Sequence, residues 1–129
     1  MPRIEIPSEV LDFIYRRIDS VPHLEALLLL WEEPSVTWTQ EDISRRVYVS
    51  LDKAGLILQD LARHGFIIAE VEVAGGYHYE QGWDEAQIMP RVAASYRQNI
   101  VHVSNLIHSK PASDAVQEFA RAFNFTKKD

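Results

Sequence analysis

Apolar side chains recur at helical spacing from the start: Val10, Leu11, Ile14 and Ile18 share one face, which predicts a leading helix over residues 8–19 with Ser8 as its cap. Ser20 and Pro22 restart the chain. His23 to Glu33 is so rich in leucine that it predicts a second helix buried around most of its circumference. Pro34 and Ser35 end that helix, because proline cannot continue the hydrogen-bond ladder. Val36-Thr37-Trp38 alternates briefly like a strand. Thr39 is followed three residues later by Asp42, the pattern of a capping box, so a helix begins at Gln40 with Ile43 and Val47 turned inward. Ser50 caps the next helix, whose Ala54, Ile57, Leu58 and Leu61 form a single buried stripe that ends at Gly65. From Phe66 to Val73 the chain turns β-branched, Gly75-Gly76 signals a hairpin, and Tyr77-His78-Tyr79 reads as the returning strand.

Two helices joined by a short turn and followed by a hairpin predict a winged helix-turn-helix over residues 20–83. After Asp84, the residues Met89, Ala93, Tyr96, Ile100, Val103 and Ile107 are spaced as an a/d seam along one helix. Pro111 breaks the pattern, and Ser113 caps a last amphipathic stretch carrying Val116, Phe119, Ala120 and Phe123. The seam has two readings: a helix packed on its copy across a twofold axis, or a helix folded back on its own domain. The first is favoured, which makes these six residues a dimer interface. The expected fold is therefore mainly α with a small β-hairpin wing, in a single domain over 1–129 with C-terminal helices over 84–124.

Composition narrows the function. The chain has 129 residues, 47% of them hydrophobic and 25% charged, and no cysteine, so disulfides and thiolate chemistry are excluded. Met1 to Pro7 lacks the apolar run of a secretory signal, and Leu27 to Trp31 is too short to span a bilayer, so a cytoplasmic protein with no membrane contact is expected. The five histidines, 23, 64, 78, 102 and 108, are scattered, and His102 and His108 do not share a helix face. Glycine-rich phosphate loops, nucleophile elbows and HExxH motifs are absent from the sequence. Neither an enzyme nor a metal or cofactor is expected.

The segment Thr39 to Phe66, with the hairpin from Ile67 to Tyr79, resembles the reader module of MarR-type transcriptional regulators, and the order of the flanking helices is similar too. The resemblance implies a homodimer whose modules bind duplex DNA. It assigns Arg45, Arg46, Ser50, Asp52, Lys53, Gln59, Gly76 and His78 to the DNA surface, with space for a ligand near Trp31 and Tyr96. Charge opens a second reading. Residues 20–83 carry four cations against ten acids, so all of the net charge of -6 lies in the segment that would face phosphates. Tyr48 stands where the family often has glycine, and the wing tip has no lysine or arginine. The alternative is a winged-helix interaction module that has lost DNA binding and grips a protein through Leu51, Leu56 and Tyr77. An uncharged or acidic face with an apolar centre would favour it. Arg45, Arg46 and Lys53 free on one face would favour DNA.

Overall fold

The computed structural model describes residues 6–109. The amphipathic stretch expected from Ser113 to Phe123 lies outside them. Within them the fold is mainly helical with a small antiparallel sheet, in the order α1 (Ser8–Arg17), α2 (Val21–Glu32), β1 (Trp38–Thr39), α3 (Gln40–Val47), α4 (Leu51–Arg63), β2 (Ile67–Ala69), β3 (Gly76–Tyr79), α5 (Ile88–Gln98) and α6 (Ile100–Ser109).

Local signals set most boundaries. Thr39 accepts from the Asp42 backbone N–H while Asp42 accepts from the Thr39 N–H, the reciprocal capping box expected. Ser20 and Ser50 cap α2 and α4 one way only, their hydroxyls accepting from the N–H groups of His23 and Lys53. Gly65 follows α4 at φ 85°, which glycine adopts without steric cost. Ser8 is not the cap of α1: it lies in the first turn, and Pro7 precedes it with no side-chain hydrogen bond. Asp84, buried, accepts from the N–H groups of Ile88 (2.7 Å) and Met89 (2.9 Å) and so closes the start of α5.

The sheet runs β1-β3-β2, with Trp38 opposite Tyr77 and Ile67 opposite Tyr79. Behind it lies one core built from α2 (Leu24, Leu27, Leu30), the α4 stripe, Ile43 and α1. Phe66 and Trp83, rings 4.6 Å apart, close this core at the sheet, and Arg17 lies 4.7 Å over Phe66 while donating to the His64 carbonyl at 2.9 Å.

The C-terminal helices depart from the seam reading. There are two helices, not one. The Asn99 N–H bonds back to Ser95 (2.9 Å) and Tyr96 (3.3 Å), its side chain also reaches the Ser95 carbonyl, and its own carbonyl starts α6 by accepting from Val103. An asparagine that satisfies neighbouring backbone groups in this way competes with helix continuation. Met89, Ala93, Tyr96, Val103 and Ile107 are buried inside the chain's own core. Of the six residues assigned to a dimer interface, only Ile100 is exposed, at 52%. α5 and α6 both pack on α1, so the seam is filled by the same chain.

Candidate interaction surface

The buried stripe of α4 fixes what the helix shows to solvent. Ala54, Ile57, Leu58 and Leu61 face the core, and Asp52, Leu56 and Gln59, spaced four and three, line the opposite face, all exposed. This is the face a reading helix would present to a groove. It has an aspartate at one end, a leucine in the middle and a glutamine at the other. Leu56 is 56% exposed and Leu51, at the helix start, 46%. Gly55 lies under Gln40, whose side chain a Cβ would approach to 3.1 Å; Gln40 in turn donates to the Leu51 carbonyl at 2.8 Å. The start of α4 is thus held against the start of α3.

The turn between α3 and α4 carries the largest surprise. Tyr48 is left-handed at φ 64°, ψ 50°, a conformation that costs an ordinary residue energy, and its side chain is 90% exposed. The Tyr48 N–H closes on Ser44, and the Ser44 hydroxyl donates to the Val49 carbonyl at 2.7 Å. Tyr48, three residues before Leu51, therefore projects into solvent. The sequence marked it only by the missing glycine.

The cations are mostly engaged. Arg45 pairs with Asp42 at 2.8 Å, and Arg63 pairs with Asp60. Arg46 lies 5.4 Å over the Trp38 ring. Among the described residues of the module, Lys53 is the cation with neither carboxylate nor ring beside it. Hydrogen bonds from the Thr39 backbone and hydroxyl, with help from Arg45, hold the Asp42 carboxyl below its ordinary pKa against a smaller opposing effect of burial.

The hairpin also differs from expectation. β2 ends at Ala69, and Glu70 to Gly75 form its loop. The alternating Glu70-Val71-Glu72-Val73, read as strand, is loop: Val71 is 97% exposed, and Val73 and Ala74 are exposed with it. Gly76, assigned to the DNA surface, is instead buried in β3, where a Cβ would sit 2.7 Å from the Thr37 methyl. His78 is half-buried and bonded to Glu70 at 2.6 Å, which also accepts from Thr37. Tyr77 is half-buried opposite Trp38. The loop thus offers valines and Glu72 rather than donors.

A cavity of about 190 Å³ opens between α2, α3 and α5, lined by Glu25, Leu28, Arg46, Val47, Tyr96 and Arg97 among others. Tyr96, expected at a pocket, is there, with its hydroxyl donating to Glu25 at 2.7 Å; Trp31 is not among the lining residues. Burial and that carboxylate both raise the Tyr96 pKa, so the phenol stays protonated. No helix of the described residues is long and apolar enough to cross a membrane. No protein-family model matches the chain, and neither a curated protein nor a solved structure does.

Proposed function

We propose that the chain is a winged helix-turn-helix module that uses its former reading face to hold a protein partner. The observation that carries this is the outward stripe of α4: Asp52, Leu56 and Gln59, with no cation in it. In duplex-reading helices the place of Leu56 commonly holds arginine or a polar reader of base edges, and leucine offers neither a donor nor a charge. Here Arg45, Arg46 and Arg63 are held by Asp42, Trp38 and Asp60. Leu51, Leu56, Tyr48 and Val71 supply exposed apolar area on the same module. Asp52 in the stripe, with exposed Glu41 and Glu72 on the same module, favours a partner with an apolar anchor and basic flanks.

Duplex DNA is the second reading, favoured by Lys53 in the first turn of α4, where the helix N-terminus adds to its positive charge. One pair of measurements separates the two. Photo-crosslinking from position 56 in cells names a partner, and that partner, purified, is titrated against wild type, Leu56→Asp and Lys53→Ala. The expected result is at least a tenfold loss with Leu56→Asp and little change with Lys53→Ala. A mixed-sequence duplex, titrated alongside, is expected to show no salt-dependent binding. Steeply salt-dependent duplex binding, lost in Lys53→Ala and kept in Leu56→Ala, would reverse the assignment.

A further inference from the structure

On the end of the molecule away from the start of α4, the junction of α1 and α2 meets the last turn of α4. Asp19, His23 and Asp60 bring one carboxylate oxygen, one imidazole nitrogen and a second carboxylate oxygen within 4.8 Å of one another. The His23 Nε2 lies 2.8 Å from Asp60 Oδ2 and 4.0 Å from Asp19 Oδ2. His64, four residues after Asp60, brings its Nε2 to 3.9 Å from the same Asp19 oxygen. Asp19 thus stands between two imidazoles, too far from either for a hydrogen bond.

We propose that Asp19, His23 and Asp60 form a divalent metal site of the Zn²⁺ class, with the fourth position left to water or to His64 turned inward. The donor set is imidazole and carboxylate, which zinc takes readily without thiolate. On a tetrahedral Zn²⁺ with bonds of about 2.0–2.1 Å, neighbouring ligand atoms sit about 3.4 Å apart. Around the ion the 2.8 Å His23–Asp60 pair must open and the 4.0 Å His23–Asp19 pair close by roughly half an ångström each.

Supporting groups are already in place. The His23 ring is buried, and its Nδ1 lies 2.6 Å from the Ser20 hydroxyl, which fixes the ring and can accept the Nδ1 proton while Nε2 turns to a metal. Asp60 receives Arg63 on Oδ1, which leaves Oδ2 on the His23 side. Arg63 on Asp60 and Arg17 on the His64 carbonyl balance the two carboxylates, so the donor geometry rather than excess negative charge points to a cation. The ligands come from three separate elements, α2, α4 and the segment joining α1 to α2, so a bound ion would tie them together.

The test uses the full chain after chelation, titrated with Zn²⁺ by calorimetry and with Co²⁺ by visible absorption. Stoichiometric Zn²⁺ binding is expected, with cobalt bands of a four-coordinate site and a denaturation midpoint that rises with added Zn²⁺. Asp19 is a half-exposed surface residue, so Asp19→Ala is expected to keep the metal-free midpoint and circular dichroism while weakening Zn²⁺ at least tenfold. A triple variant at the remaining histidines (His78→Gln, His102→Gln, His108→Gln) is expected to bind as wild type. Absence of stoichiometric binding overturns the proposal, and so does binding that Asp19→Ala leaves intact or that the triple variant loses.

Discussion

At the scale of single residues, two backbone facts carry consequences. Tyr48 holds a left-handed conformation that costs an L-residue about 1–2 kcal/mol, and its exposed ring recovers none of it by burial. Glycine there removes the strain but adds chain entropy of about 0.5–1 kcal/mol, so Tyr48→Gly is expected to raise stability by about 0.5–1 kcal/mol. Urea denaturation measures it, and a lower midpoint would show that the ring holds the turn. The same variant is expected to weaken a partner that uses this face, which would explain why a strained residue is kept at an exposed turn. Asp42 gives a pH dependence. Its folded pKa is depressed below 3.8 chiefly by the Thr39 backbone N–H, so its contribution is fully present above that value and is lost as pH falls through the folded value. The denaturation midpoint should therefore drop on acidification below about pH 4, and Asp42→Asn should flatten part of that slope while lowering stability near neutrality. An unchanged acid slope in Asp42→Asn would remove the capping box as its source.

Elements show which parts of this fold the sequence could disclose. Caps at Thr39, Ser50 and Gly65 are written within four residues of the bonds they make, and each is where the sequence places it. The α4 stripe is equally local, and it placed Leu56 outside correctly. The hairpin departs from its sequence pattern because alternating β-branched residues report an extended backbone, not whether a strand exists to pair with. Val71 and Val73 meet that description in a loop. Gly76 signals a turn in the sequence, but its absent side chain answers both to nearby Val73 and to Thr37, the second a contact of distant origin. The Asp19–His23–Asp60 cluster was invisible for the same reason: 37 residues separate His23 from Asp60. Gly76→Ala tests the element directly. Its Cβ would meet the Thr37 methyl at 2.7 Å and the Val73 side chain at 3.0 Å, so Thr37 must turn away or the backbone around β3 must shift. We expect a loss of about 1–3 kcal/mol, with chemical-shift changes confined to β1, β3 and the loop. A variant as stable as wild type would mean that Thr37 rotates away freely.

For the whole molecule, the open matter is what α5 and α6 are for. A heptad seam read from sequence is silent on whether the facing surface belongs to another chain or the same one, because both bury the same positions. Here α1 and α2 supply that surface, and Met89, Val92, Ala93 and Val103 are sealed by it. A protein whose seam is satisfied internally unfolds as one molecule, so its denaturation midpoint does not depend on protein concentration. One whose seam is shared gains stability as concentration rises. We expect equal midpoints at two concentrations differing at least tenfold. Ile107→Ala, which empties a buried site on α6, should cost about 2 kcal/mol or more and cost the same at both concentrations. If the midpoint instead climbs with concentration and Ile107→Ala abolishes the climb, α6 is holding a second copy, and the face of α4 would then be displayed twice, as a symmetric reader needs.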